Sequence, residues 1–156
     1  MAEAFWANFL RDLPAADGES KLHETNSGIM ALPHEIIESK RVSRIGPYSQ
    51  AVRVGNLIFV AGQAGIDPIS GQIVDPDFAI QVRQAFSNLR AILEDAGSGL
   101  HRVVKVTCYL AEPNGFAILN TLFEEYFPDS PPTRATPIVR LPGGLLFSIE
   151  AIASAE

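Results

Sequence analysis

The chain has 156 residues, enough for one compact domain with its own core. Hydrophobic residues make up 47% of it and charged residues 19%, a balance that excludes general disorder. Because the formal net charge is −6, the chain lacks the basic surface that binding to a nucleic-acid backbone or an anionic membrane requires. We therefore expect a globular domain with neither of these partners.

Residues 1–29 differ in character from the rest of the chain. AEAFWANFLRDL has the spacing of a short amphipathic helix. The segment is more acidic than basic and its apolar stretch is short, so it fits neither a transit peptide nor a signal peptide, and we expect a cytoplasmic protein. Two interpretations stay open: a leader foreign to the domain, or a docking extension that covers apolar surface. The predicted division is an extension over residues 1–35 and a domain over 36–156.

The first predicted strands form a hairpin. LIFVAGQ at 57–63 is apolar and rich in β-forming residues, which is typical of a buried strand. YSQAVRVG at 48–55 alternates weakly and runs into the turn signal Gly55-Asn56. DPISGQIV at 67–74 is rich in turn residues and is predicted to be a loop.

A helix is predicted from Asp75 to about Ala96. Asp75 is expected to be the N-cap, Pro76 to be the first helical residue, and Asp77 to favour the positive end of the helix. Apolar residues then recur at intervals of three and four and define one buried face. Gly97 is the expected C-terminal stop.

The rest of the chain adds three strands and a second helix. Alternating, β-branched RVVKVTCYL at 102–110 predicts a strand, and apolar spacing from Phe116 to Phe127 predicts an amphipathic helix. RATPIVRL at 134–141 and LLFSIEAIA at 145–153 predict two further strands. The order β-β-α-β-α-β-β favours an α+β fold in which both helices cover one face of one sheet. Apolar strand residues on both faces indicate that another subunit covers the second face.

Two charged residues lie inside predicted strands. Arg134 opens one strand, and Glu150 is embedded in the nearly uncharged next strand. Because a short turn joins the two strands, we expect these side chains to be neighbours on an antiparallel pair. A carboxyl group in such a place suits proton transfer. The alternatives left open are a buried ion pair and a Glu on the solvent face of an edge strand; Arg140 is interpreted as a surface charge.

The other polar candidates each have an ordinary structural interpretation as well. They are Tyr48, Gln63, Asn120 and Thr136. Cys108, the only cysteine, is predicted to be a small core residue rather than a nucleophile, since no histidine lies near it in a position compatible with a strand. The three histidines are far apart and do not have the spacing of a metal-binding helix, so no metal site is expected.

Three segments together resemble the RidA (YjgF/Rid) family from about Ile36 to Ala153. They are IGPYSQAVRVGNLIFVAGQAGIDPISGQIV, VVKVTCYLAEPNGFAILNTLFEEYF and PPTRATPIVRLPGGLLFSIEAIA. The resemblance implies a chorismate-mutase-like α+β fold with one mixed sheet. It also implies a homotrimer whose sheets line a central barrel, with ligand sites in clefts between subunits.

The same resemblance implies an enzyme that hydrolyses 2-iminoacids to 2-oxoacids and ammonia, with no metal or cofactor. Arg134 would hold the substrate carboxylate, and Glu150 would position or activate the attacking water. The positions implied to line the pocket are Tyr48, Ala61, Gly62, Asn120 and Thr136. Two of them depart from common family choices, since many deaminases have Ser in place of Ala61 and some have Cys in place of Thr136. The alternatives are a non-catalytic carboxylate-binding or regulatory protein, and a pathway-specific deaminase.

Overall fold

The computed structural model of the protein describes residues 34–155. The strands are β1 (Glu35–Ile37), β2 (Ala51–Val54), β3 (Leu57–Ala64), β4 (Val103–Leu110), β5 (Thr133–Ala135) and β6 (Phe147–Ser154). The helices are α1 (Phe78–Asp95) and α2 (Phe116–Tyr126), and short 3₁₀ turns lie at Leu100–Arg102, Pro113–Gly115 and Pro142–Gly144. The helix predicted near the N-terminus lies outside the described residues.

The six strands form one mixed sheet in the order β1-β2-β3-β6-β4-β5. Only β4 and β5 run parallel, and every other neighbouring pair is antiparallel. The predicted α+β class with one sheet and two helices is confirmed. The hairpin of β2 and β3 is also confirmed: its turn places Gly55 at φ 57°, a conformation that glycine adopts without strain.

The core lies between one face of the sheet and the two helices. In β6, Phe147, Ile149, Ala151 and Ala153 are buried, while the alternate residues face the other side of the sheet. Phe86 of α1 is at the centre of this core: it is fully buried and stacks on Tyr126 with ring centroids 4.1 Å apart. The other face of the sheet, which we call the open face, carries no helix within residues 34–155.

Two strand predictions need correction. The strand expected over 134–141 is limited to β5, followed by an isolated bridge between Leu110 and Ile138. Pro137 ends regular pairing because it has no N–H to donate, although its carbonyl accepts from the Leu110 amide at 3.1 Å. Strand β1 was missed, since three residues are too few to show a pattern.

The start of α1 is also shifted from its prediction. Asp77, not Asp75, is the N-cap: its side chain accepts a hydrogen bond from the Ile80 amide at 3.0 Å. Asp75 instead accepts from the Asp77 amide at 2.8 Å, so Pro76 lies in the turn before the helix. The predicted stop is confirmed, because Gly97 has φ 73° directly after the last turn.

Replacing Asp77 by alanine should lower the free energy of unfolding by about 1 kcal/mol, because the first turn of α1 loses its side-chain acceptor. Asp77→Asn should retain most of this stability, since the amide oxygen also caps. Urea unfolding of both variants measures the difference. Equal stability of Asp77→Ala and the wild type would contradict the assignment of the cap.

Candidate functional site

Arg134 is held against α2 by one hydrogen bond and two aromatic rings. Its Nη2 donates to Asn120 Oδ1 at 2.6 Å. Its Cζ lies 4.6 Å from the ring centroid of Phe123 and 5.6 Å from that of Phe116. We call these four residues the guanidinium cluster. The stacked rings and the amide restrict the orientation of the guanidinium plane.

The helical repeat explains why three residues of the cluster come from one helix. Phe116, Asn120 and Phe123 are four and three residues apart, so they share one face of α2. Arg134 reaches this face because β5 runs beside β4 with Arg134 aligned to Val106, whose side chain lies in the core. The cluster therefore forms at the β5 edge of the sheet, where Arg134 remains partly exposed.

Arg134 has no carboxylate partner within residues 34–155. By contrast, acidic side chains pair with Arg41, Arg44, Arg53 and Arg83. A guanidinium has five N–H donors, and within residues 34–155 Arg134 uses one of them, in its hydrogen bond to Asn120. The remaining donors are available for an anion, and a carboxylate suits their fork geometry best.

A second group of residues, all predicted except Ser148, surrounds an irregularity in β3. Val60 pairs with Ala151 and Gln63 pairs with Ile149, so Ala61 and Gly62 together oppose the single residue Glu150. We call Tyr48, Ala61, Gly62, Ser148 and Glu150 the bulge cluster. Tyr48, Gly62 and Ser148 line a cavity of about 180 Å³.

Tyr48 is 40% exposed and sits on the turn made by Gly46 and Pro47. A side chain on Gly46 would meet the Tyr48 ring at 2.7 Å, so glycine is needed for this close approach. Partial burial raises the pKa of the Tyr48 hydroxyl above its ordinary value. Tyr48 is thus a neutral hydrogen-bonding group at the cavity wall around pH 7.

Glu150 lies on the open face, opposite Thr107 of β4. It borders a depression of about 160 Å³ that Phe59, Lys105 and Thr107 also line. Desolvation, together with the nearby carboxylate of Glu150, raises the pKa of the Tyr109 hydroxyl. The carboxyl group therefore has access to solvent as well as polar neighbours.

The expected contact between Arg134 and Glu150 within one chain is wrong. Strand β4 lies between β5 and β6, so the two residues do not share an antiparallel pair. Arg134 aligns with Val106 and Glu150 with Thr107, and successive residues of a strand point to opposite faces. The physical reason is the connection after β5, which passes the C-terminal end of β4, where the Val139 amide donates to the Leu110 carbonyl at 2.9 Å, and returns as β6 on the other side of β4.

The remaining candidates have mostly structural roles. Cys108 is fully buried, and burial raises the pKa of its thiol to about 12, which confirms the predicted core role. Gln63 is buried and donates to the Ala61 carbonyl at 3.0 Å, which stabilises the bulge. Arg140 is exposed, as predicted, and Thr136 lies just beyond β5, two residues after Arg134.

Sequence reasoning missed Ser148 as a member of the bulge cluster. Its Oγ would lie 3.2 Å from a methyl group placed on Gly62. The available signal was its position two residues before Glu150, on the same face of a strand.

Two features are absent from the described part of the chain. Residues 34–155 contain no group of three His, Cys, Asp or Glu side chains arranged to hold a metal ion. None of the helices in this range combines the length and the apolar character needed to cross a bilayer.

Known proteins resemble this chain over most of its length. A RutC family protein of Pyrococcus abyssi is 50% identical over 122 residues, which cover 78% of this chain and 96% of that protein. The 2-iminobutanoate/2-iminopropanoate deaminase of Mus musculus is 44% identical over 119 residues, covering 76% and 88%. The human protein of the same name is 42% identical over 119 residues, covering 76% and 87%.

Solved structures support the same relationship. The Rid family protein YyfA from Yersinia pestis has a TM-score of 0.75 at 36% identity, covering 79% of this chain and all of that one (100%). TdcF from E. coli, solved with bound serine, has a TM-score of 0.73 at 35% identity, covering 78% and 99%. The family model described as Endoribonuclease L-PSP matches residues 38–155. The chain belongs to this family, the YjgF/RidA family that its three segments resemble.

Proposed function

We propose that the protein hydrolyses 2-iminoacids to 2-oxoacids and ammonia. The observation that carries this proposal is the guanidinium of Arg134, which is oriented by Asn120 and Phe123 and lacks a carboxylate partner within residues 34–155. The names of the mouse and human relatives support the same activity. A 2-iminoacid supplies the planar carboxylate that this guanidinium fits.

The proposed chemistry needs a bound carboxylate and a positioned water. Two N–H groups of Arg134 bind the carboxylate and fix the position of the C=N carbon. Water, oriented by Glu150, adds to that carbon, and a proton moves from the water to nitrogen. The resulting carbinolamine loses ammonia and leaves the 2-oxoacid. Orientation and a preformed polar cleft supply most of the acceleration.

Since one chain places Arg134 and Glu150 on opposite faces, the proposed site requires two copies. The guanidinium cluster of one copy faces the bulge cluster of the next, in a chorismate-mutase-like homotrimer whose open faces line a central barrel. An apolar row across the open face supports this assembly. The row consists of Ile36, Val52, Phe59 and Ile152, which are register partners on four neighbouring strands. Ile36 is 57% exposed and Phe59 42% exposed within one chain, and burying them favours association.

The test generates 2-iminopropanoate from alanine with an amino-acid oxidase and follows the appearance of 2-oxopropanoate and ammonia. The protein should accelerate hydrolysis well above the rate in buffer. Sedimentation of the same sample should give the mass of three chains. A rate equal to that of buffer, at a protein concentration where the trimer is present, would remove the proposal.

One observation favours a second candidate, a protein that binds small carboxylates without turnover. Ala61 lacks the hydroxyl that many family deaminases carry in its place, while the guanidinium cluster is complete. The E. coli relative solved with bound serine holds an amino acid, a ligand with the same carboxylate. Calorimetry with 2-oxobutanoate separates the two cases, since binding without any imine turnover would select the second. The acidic net charge of −6 does not favour a ribonuclease.

A further inference from the structure

The cavity that Tyr48, Gly62 and Ser148 line contains a serine hydroxyl without a hydrogen-bond partner in residues 34–155. Four of the polar side chains along its wall already donate to backbone carbonyls nearby. These side chains are Ser43, Gln50, Gln63 and Asn88. Ser148 also lines the cavity, but its Oγ makes no hydrogen bond to another group in this range. Ser148 is partly exposed and forms part of the cavity wall, so a ligand in the cavity can reach this hydroxyl.

The position of Ser148 is set by the fold. It pairs with Ala64 of β3 and Tyr109 of β4, which fixes its backbone in the middle of the sheet. A methyl group placed on Gly62 would lie 3.2 Å from the Ser148 Oγ. Because Gly62 has no side chain, this space beside the hydroxyl is open. A ligand that contacts the Gly62 backbone therefore meets the Ser148 hydroxyl.

We propose that Ser148 is a specificity-determining residue that selects ligands with a hydrogen-bonding side chain. The inference rests on the proposed function, in which Arg134 of the neighbouring copy holds the carboxylate and the ligand side chain enters this cavity. An aliphatic ligand side chain would displace water from the Ser148 hydroxyl and leave the hydroxyl without a hydrogen-bond partner. A polar ligand side chain would take the place of that water as the partner.

The experiment compares two imines of equal size, generated from serine and from 2-aminobutanoate. Their side chains are hydroxymethyl and ethyl, so they differ in hydrogen bonding at nearly constant volume. The wild type should favour the hydroxymethyl imine in kcat/KM. Ser148→Ala should lower kcat/KM for this imine roughly fivefold and change the ethyl imine less than about twofold. Ser148→Thr, which keeps the hydroxyl, should retain the preference.

Ser154→Ala is the matched control, because Ser154 is on the same strand and face but outside the cavity. It should leave the preference unchanged. A Ser148→Ala variant that affects both imines equally, or neither, overturns the proposal.

Binding separates failure of this inference from failure of the proposed function. Calorimetry with 3-hydroxy-2-oxopropanoate and 2-oxobutanoate measures the same preference in Kd without turnover. If the wild type hydrolyses no imine, a hydroxyl preference in Kd that Ser148→Ala removes still supports the role of Ser148. No difference in Kd between the two oxoacids, or no binding of either, overturns it.

Discussion

Arg134→Lys is expected to lower kcat/KM for imine hydrolysis by roughly 100-fold or more, although the positive charge remains. Lysine cannot form two parallel hydrogen bonds to a carboxylate, and its ammonium lacks the planar surface that stacks on Phe123. Arg134→Ala should lose at least as much activity. The coupled imine assay measures both variants, and circular dichroism checks that they fold.

Arg140→Ala is the matched control for these variants. Arg140 is an exposed arginine six positions along the chain, and its replacement by alanine changes the net charge by the same amount as Arg134→Ala does. It should retain activity within about twofold. Near-wild-type turnover by folded Arg134→Lys would show that the guanidinium is not the carboxylate anchor.

The largest effect on stability is expected from Phe86→Ala. The Phe86 ring is fully buried and lies 4.1 to 6.4 Å, centroid to centroid, from the rings of four aromatic residues. These are Tyr126, Phe127, Phe147 and Phe123. Truncation leaves a cavity that rigid neighbours on α2 and β6 cannot fill, so the free energy of unfolding should fall by about 4 kcal/mol. Urea unfolding at a fixed protein concentration measures this loss.

Ile69→Ala provides the comparison, since it also removes an apolar side chain but from a position that is 92% exposed. Its cost should stay within about 0.5 kcal/mol. If Phe86→Ala cost no more than Ile69→Ala, the aromatic cluster would not be the centre of the core.

Much of the fold could be predicted because its signals are local. The apolar spacing of α1, the stop at Gly97 and the alternation of β6 each depend on residues close in sequence. Such patterns report which side of an element is buried. The cap of α1 was misplaced because Asp75 and Asp77 both have the required side chain, and only backbone geometry distinguishes them.

The arrangement of the candidate site could not be predicted in the same way. Whether Arg134 and Glu150 meet depends on strand order, and β4 comes between their strands although it lies earlier in the sequence. The pattern of apolar residues does not show that β4 lies between the two strands. The sequence also marked Glu150 by its charge but not Ser148, since an outward serine in a strand is common.

The central claim is that Arg134 of one copy and Glu150 of another complete each site, and mixing two inactive variants tests it most directly. Arg134→Ala and Glu150→Gln are unfolded together in equal amounts, refolded, and assayed for imine hydrolysis. In randomly mixed trimers, about a quarter of the interfaces pair an intact Arg134 with an intact Glu150 from the next copy. We predict recovery of about a quarter of wild-type activity. Activity no higher than the average of the two separate variants, in a mixture shown to contain mixed trimers, would contradict the claim.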